Sequence, residues 1–381
     1  MHPGVVAAIV LGCLLGYIIL AAIAVRIFPL GGKEKIARKR RVKFNTKLIA
    51  HRGGCLAGPE NTMWTFHRAV AEAHVDVLEL DVALTSDGEV VVTHDHDLTR
   101  QCGRAVNIHD VSSKELPLLA SRIDLHFPSR QRRSYQLAES STTAKSADGY
   151  TLCTQQQPLC LLKEVFDAFP NTPIHLDMKF TSNELVYKTF DMVDKYDRRG
   201  LTILGAASGP NVKLMRTLIR DREKHNPTLG HYLTFSSAME VVWTYVFYYL
   251  GILPLIPRGF DAFSIPMMTK AKREFMEERK FGNCCVRGIL IWMLHSEALL
   301  SHLRRRGIVV LGFVLNDPDE WDEVEHWPID GIMTDDPVRL YQHMTSCSPL
   351  RCQCQINGVG PLPQDYGGVS PINIRDNKEF S

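Results

Sequence analysis

The chain predicts an α/β fold: a TIM (β/α)8 barrel with an N-terminal transmembrane helix. Three observations point there: β-branched apolar runs recurring between helical stretches, an uncharged N-terminal run of membrane length, and 381 residues that can hold one large domain. With 45% hydrophobic and 23% charged residues, the chain can bury a full core. A net charge of +2 carries no nucleic-acid signal.

Gly4 to Val25 holds no charged residue and spans about 33 Å as a helix, against a bilayer core of about 30 Å. Seven basic residues and one acidic residue then follow between Lys33 and Lys43. Residues 1–30 thus read as an anchor and 31–46 as a basic juxtamembrane linker. A cleaved signal peptide competes with this reading, but the charge follows the apolar run and no small-x-small site precedes polar sequence. Positive charge after the span places the remainder in the cytosol. The ten cysteines are scattered, include the adjacent Cys284 and Cys285, and read as reduced thiols.

The barrel domain is assigned to residues 47–342. Candidate strands lie at 48–50, 77–82, 90–93, 174–178, 201–204, 232–235, 262–265, 309–315 and 331–333. Nine is one too many for eight strands, and the Thr85-Ser86-Asp87-Gly88 link is too short for a crossover helix, so the second and third pair as a hairpin or an irregular part of the barrel. Helices are expected at 62–73, 161–168, 182–196, 210–223, 296–306 and 317–326, several opened by Ser, Thr, Asp or Pro. Residues 121–157 are polar with little periodicity and read as a surface insertion, while 343–381 read as a disordered tail. Residues 241–257 are uncharged and aromatic-rich. If they link two strands of one barrel, their ends share one side of a bilayer, so they read as a segment that contacts a leaflet without crossing it, with an ordinary buried helix as the competing reading.

The stretch from Ile49 to Asp97 concentrates the chemistry. His51 beside Arg52, Glu79 and Asp81 two residues apart, and His94 beside Asp95 suggest metal-assisted acid–base work on a charged ester. In a strand, residues two apart share a face, so Glu79 joins Asp81, and Asp177 joins Lys179. Three carboxylates then converge at strand ends, and oxygen-only donors suit Mg2+ or Ca2+ better than zinc.

These residues lie in motifs, HRG at 51–53, PENT at 59–62, ELD at 79–81, TSDG with VVVTHD at 85–95, LDMK at 176–179 and DGIMTDDP at 330–337. In order and spacing the chain resembles the glycerophosphodiester phosphodiesterase family, and its apolar segments resemble the membrane-bound branch that acts as lysophospholipases D. The resemblance implies His51 and His94 as general acid and base, with Glu79, Asp81 and Asp177 around one divalent cation and His94 as an alternative ligand. It implies Arg52 and Lys179 as phosphate-binding residues and Glu60 as a site-orienting residue. Asp177 stands where many relatives have Glu, and Phe313 where Trp is usual.

The expected activity is hydrolysis of lysophospholipids such as lysophosphatidylcholine, lysophosphatidylethanolamine and N-acyl lysophospholipids. The products are lysophosphatidic acid plus choline, ethanolamine or N-acylethanolamine. In the expected mechanism the glycerol hydroxyl attacks phosphorus and a cyclic phosphate is then hydrolysed, with direct attack by water as the alternative. Water-soluble glycerophosphodiesters are the competing substrate class, and an inactive phospholipid-binding scaffold the remote one. Expected partners are substrate and bilayer, with no nucleic acid and no protein, and the expected location is the endoplasmic reticulum membrane.

Overall fold

The computed structural model describes residues 3–27, 41–126, 134–138, 151–257, 259–278, 294 and 296–346. Within residues 1–342, which form one compact unit, parallel strands alternate with helices. The strands, in chain order, are β1 Leu48–Ala50, β2 Val77–Leu84, β3 Val90–Val92, β4 Arg122–Asp124, β5 Ser134–Gln136, β6 Cys160–Leu161, β7 Ile174–Met178, β8 Thr202–Ala206, β9 Leu233–Thr234, β10 Ala262–Pro266, β11 Val309–Phe313 and β12 Gly331–Thr334. Eight of them run in the order β10-β11-β12-β1-β2-β7-β8-β9. A parallel bridge between Phe235 and Ala262 joins the two ends, aided by Asp261 N–H donating to the Thr234 carbonyl at 2.8 Å. The result is a barrel.

The ninth expected strand, β3, leaves the barrel path and pairs antiparallel with β2, Val82 opposite Val92. A hairpin therefore resolves the surplus, its turn held by Thr85 N–H to the Glu89 carbonyl at 3.0 Å. Among its described residues, the expected insertion contains strands. β4 and β5 form a two-stranded hairpin whose Ile123 and Tyr135 join a second apolar cluster with Val91, Leu98, Ile108 and Leu159.

Helices follow their expected starts: α2 Met63–Ala73, α4 Leu162–Ala168, α5 Asn183–Lys195, α6 Gly209–His225, Glu297–Arg305 and Pro318–Val324, with Thr62, Ser182, Ser208 and Ser296 as side-chain N-caps. Sequence did not signal the short α3 Thr99–Cys102, nor α8 Lys270–Glu278. The last described helix is Pro337–Ser346. The rest of the expected tail lies outside the described residues. An N-terminal helix, α1 Pro3–Ile27, contains an 18-residue stretch, Gly4–Ala21, long and apolar enough to cross a membrane. The hydrophobic segment forms α7 Ala238–Tyr249 and a 3-10 turn at Leu253–Leu255. Cys13, Cys55, Cys102, Cys153 and Cys160 are free thiols.

Alternation along the strands separates two environments. Leu78, Leu80 and Val82 of β2 and Leu176 and Met178 of β7 pack outward in the main apolar cluster against helix residues Phe66 and Phe190. Inside the barrel, Ile49, Val77, Ile203, Leu233, Val309 and Met333 close one end together with Val42 from the preceding segment. One step further along the same strands the inward positions become Glu79 and Asp81, His175 and Asp177. Polar groups therefore sit at the carboxyl ends of the strands, over an apolar floor.

Candidate active site

The turn after β1 sets the first two residues. His51–Gly53 forms one 3-10 turn with Arg52 at φ 51°, Gly53 at φ 77° and Gly54 at φ 105°. Glycine is required twice over, since a Cβ on Gly53 would stand 2.8 Å from the Phe66 ring and one on Gly54 2.7 Å from Pro337. The turn folds Arg52 inward. Its backbone N–H donates to Glu79 Oε2 at 2.8 Å, its Nε lies 3.3 Å from Asp81 Oδ2, and its Nη1 donates to Glu60 Oε1 at 3.2 Å.

β2 and β7 supply the carboxylates, with Asp81 directly opposite Asp177 in register. Lys179, just beyond β7, donates to Asp177 Oδ2 at 2.7 Å and lies 3.1 Å from Asp81 Oδ1. Burial and the neighbouring Asp81 charge push Glu79 well above the usual carboxylate range. Burial pushes the same way on Asp81, but Lys179 and Arg52 outweigh it and hold that group low. Lys179 is raised: burial opposes its charge, while Asp81 and Asp177 more than compensate.

Each candidate histidine has a carboxylate on Nδ1. His51 Nδ1 lies 2.5 Å from Asp335 Oδ1, and its Nε2 lies 3.9 Å from Glu79 Oε2. Burial pushes His51 down, against the pull of Asp335. Asp335 stays below its ordinary range despite burial, through His51, a bond from Cys55 Sγ at 2.9 Å and one from Asn316 Nδ2 at 2.9 Å. A neutral imidazole facing an ionised carboxylate carries its proton on Nδ1, which leaves the Nε2 lone pair available as a base. On the other side, His94 Nδ1 lies 2.7 Å from Asp95 Oδ1. Bonds from His94 and Arg100 outweigh burial and hold Asp95 at about 2.

Glu60 is buried under Arg52. It also receives Arg100 Nη2 at 2.6 Å, Arg100 Nη1 at 2.9 Å and Gln101 Nε2 at 2.7 Å. Arg52 and Arg100 keep it ionised, below its ordinary range, although burial opposes this.

The carboxylate set fits a hard divalent cation. Asp81 Oδ1, Asp177 Oδ1 and the neighbouring Asn61 Oδ1 are buried and accept no hydrogen bond, and for Glu79 burial and the Asp81 charge outweigh the pull of Lys179 and Arg52. Among the described residues, the groups whose ligand atoms already lie within 4.8 Å of one another are His51, Cys55 and Asp335, and His94, Asp95 and His126. In this arrangement the Lys179 ammonium and Arg52 guanidinium stand among Glu79, Asp81 and Asp177.

All eight residues singled out from the sequence fall at this end of the barrel. Sequence reasoning missed Asp335, Asn316, Cys55 and Arg100 as site residues and gave Asp95 no role of its own. Asp335 sits inside the DGIMTDDP motif and Asp95 beside His94, but no spacing rule ties position 51 to position 335. His175, also inward, is neutral: burial pushes it down to about 3, and it stacks on Phe235 with centroids 4.2 Å apart.

Comparison with known proteins shows the family and the fold. Residues 51–207 match the Glycerophosphoryl diester phosphodiesterase family. Human Lysophospholipase D GDPD1 is 33% identical over 312 residues, covering 80% of this chain and 87% of that protein. Mouse Lysophospholipase D GDPD3 is 28% identical over 319 residues, covering 84% and 88%. A glycerophosphoryl diester phosphodiesterase domain from Mycobacterium tuberculosis shares the fold, with a TM-score of 0.54 at 17% identity over 78% of this chain and 98% of that one. HRG, PENT, ELD, TSDG with VVVTHD and LDMK lie within residues 51–207, and the chain belongs to the glycerophosphoryl diester phosphodiesterase family.

Proposed function

We propose that this chain is a membrane-anchored phosphodiesterase of lysophospholipase D type that depends on one divalent cation, Mg2+ or Ca2+. The observation that carries this is the pairing of two carboxylate-oriented histidines with a buried carboxylate cluster that also holds Arg52 and Lys179. Glu79, Asp81 and Asp177 would hold the cation, which supplies Lewis-acid stabilisation of the phosphodiester charge when bound. His51 Nε2 takes the proton of the glycerol hydroxyl as that oxygen attacks phosphorus. His94, oriented by Asp95, delivers a proton to the departing choline or ethanolamine oxygen. Arg52 and Lys179 hold the phosphoryl oxygens as charge develops, and Glu60 keeps Arg52 in place. The cyclic phosphate is then opened by water to lysophosphatidic acid.

Lipid substrates are supported by the apolar surfaces as well as by the names of the relatives. α1 offers a membrane span, and the Tyr17 hydroxyl donates to the Leu250 carbonyl at the end of α7. α7 buries only Thr244 and Tyr245 and leaves Met239, Val242 and Trp243 exposed. Its acidic residue, Glu240, is paired with Arg216 at 2.6 Å. The basic run after the span favours a cytosolic barrel, here assigned to the endoplasmic reticulum membrane.

Product analysis by mass spectrometry tests the reading directly. Lysophosphatidylcholine with Mg2+ or Ca2+ should give lysophosphatidic acid and choline, and chelator or Glu79→Gln should stop it. Cleavage of glycerophosphocholine alone would move the activity to soluble diesters.

A further inference from the structure

Arg100 lies on α3, outside the barrel wall, yet its guanidinium touches both halves of the reaction centre. Its Nε donates to Asp95 Oδ2 at 2.6 Å, and Asp95 in turn orients His94. Its Nη1 and Nη2 clamp Glu60, which accepts from Arg52 on its other side. One further bond, Nη1 to the Asp124 carbonyl at 2.8 Å, leaves the centre for the β4–β5 hairpin. The next two residues of that hairpin follow it in. Leu125 packs with Cys55 and Leu56, just after the His51–Arg52 turn. The His126 ring stands edge-on to His94 with centroids 4.7 Å apart, its Nε2 3.8 Å from Asp95 Oδ1.

A planar fork suits this geometry, because four acceptor oxygens on three residues need separate N–H groups on one rigid plane. A lysine would reach one or two of them. Residues 124–126 belong to the loop that links β3 to β6, so this connection is made by a part of the chain that builds no barrel strand.

We propose that Arg100 is a positioning residue that locks His94, Arg52 and hairpin residues 124–126 into one unit, so that the hairpin's seating sets the alignment of the reacting groups. The inference rests on the reading of His94 and Arg52 as reacting residues. It predicts a loss in turnover rather than in lipid binding, since Arg100 itself is covered by Glu60, Asp95 and the hairpin.

The test uses the full-length, membrane-reconstituted protein and lysophosphatidylcholine, with rates normalised to folded protein by circular dichroism. Arg100→Gln is expected to lower kcat by about 100-fold with KM within about threefold, and Arg100→Lys to restore about tenfold of that loss. The Asp95→Asn, Arg100→Gln double variant should lose no more than about the larger single loss, because both act through His94. Leu125→Ala, which leaves every hydrogen bond of Arg100 in place, should lower kcat several-fold and add nothing to Arg100→Gln. If Arg100→Gln does not fold, Arg100→Lys and Leu125→Ala decide. Wild-type turnover in both, a change confined to KM, or losses that multiply in the doubles would overturn the coupling. An active His94→Ala protein would instead overturn the reading of the site on which it rests.

Discussion

His51 and His94 are held in the same way, Nδ1 to a carboxylate oxygen at 2.5 and 2.7 Å, but their partners come from very different distances along the chain. His94 uses its neighbour Asp95, whereas His51 uses Asp335, 284 positions away. The orienting carboxylate fixes which nitrogen carries the proton. Asp335→Asn should therefore lower kcat by roughly 100-fold with little change in KM, since general acid–base catalysis contributes about 10²–10⁴-fold and an amide accommodates either tautomer. His51→Ala should abolish turnover at unchanged thermal stability, and comparison of both variants by steady-state kinetics checks the pair. This contrast also explains what was legible. Residue types and two-residue spacing exposed Glu79 with Asp81 and Asp177 with Lys179, but a pair closed by the barrel seam between β1 and β12 leaves no local signal. Glu79 carries a second prediction. Its pKa is raised in the folded chain, so without cation the folded state keeps a proton that the unfolded state releases, and stability falls as pH rises from the ordinary carboxylate range towards the raised value. A divalent cation competes with that proton. Saturating Mg2+ or Ca2+, at about 100 times its Kd, adds about 2.7 kcal/mol, equivalent to roughly 5 °C in Tm, and the gain should shrink on acidification and be much reduced in Glu79→Gln. A Tm shift independent of pH and of Glu79 would place the cation elsewhere.

Between residue and barrel, the turn after β1 ties β2, α2 and the segment at Pro337 together. It packs against α2 through Phe66, against Pro337 through Gly54, and against β2 through the Arg52 N–H. Gly53→Ala should cost about 1–3 kcal/mol, because it meets both a positive φ and the Phe66 ring, and it should lower activity as His51 and Arg52 shift. Gly103→Ala is the matched control. There φ is also positive, at 67°, but nothing lies within 4 Å of the added carbon, so the cost is backbone strain of about 1 kcal/mol. Equal losses in the two denaturation curves would remove the steric part of this account. Elements with strong periodicity were legible for a reason: β-branched runs buried on both faces and N-caps such as Ser182 and Ser296 state their own boundaries. The β4–β5 hairpin did not. Each of its strands has three residues and buries only one, Ile123 or Tyr135, and alternation that short is indistinguishable from a polar loop. The helix Pro337–Ser346 escaped similarly, because it opens on a Pro within a motif read for chemistry and runs into a segment of tail-like composition.

For the molecule as a whole, the question is how a barrel presents its rim to a lipid. Ser237, which caps α7, follows directly on the bridge residue Phe235 and Ser236, level with the rim that holds Asp81 and Asp177, whereas the far end of α7 meets α1 through Tyr17 and through Ala21 against Gly251. Twelve helical residues span about 18 Å, so α7 reaches from α1 to the rim that holds Asp81 and Asp177. Along it Met239, Val242, Trp243 and Leu250 are exposed at helical spacing, and Leu255 of the following turn is 78% exposed. An apolar stripe that runs from α1, the candidate span, to this rim fits the proposed bilayer contact, with the barrel lying on its side and α7 in the headgroup layer. A lysophospholipid could then present its phosphodiester to His51 and His94 without leaving the leaflet entirely. The prediction is local to Trp243. In nanodiscs of brominated phosphatidylcholine, the fluorescence difference between wild type and Trp243→Phe should be quenched, and more strongly by bromine near the headgroup than deep in the acyl chain. Val242→Glu should weaken that contact and lower lysophosphatidylcholine turnover about tenfold while sparing glycerophosphocholine, if the latter is cleaved, because it removes the seat and leaves the site intact. An unquenched Trp243 would return α7 to solvent; stronger quenching by deep bromine would bury it in the membrane core, where Glu240 and Arg216 would have to be carried as a desolvated pair.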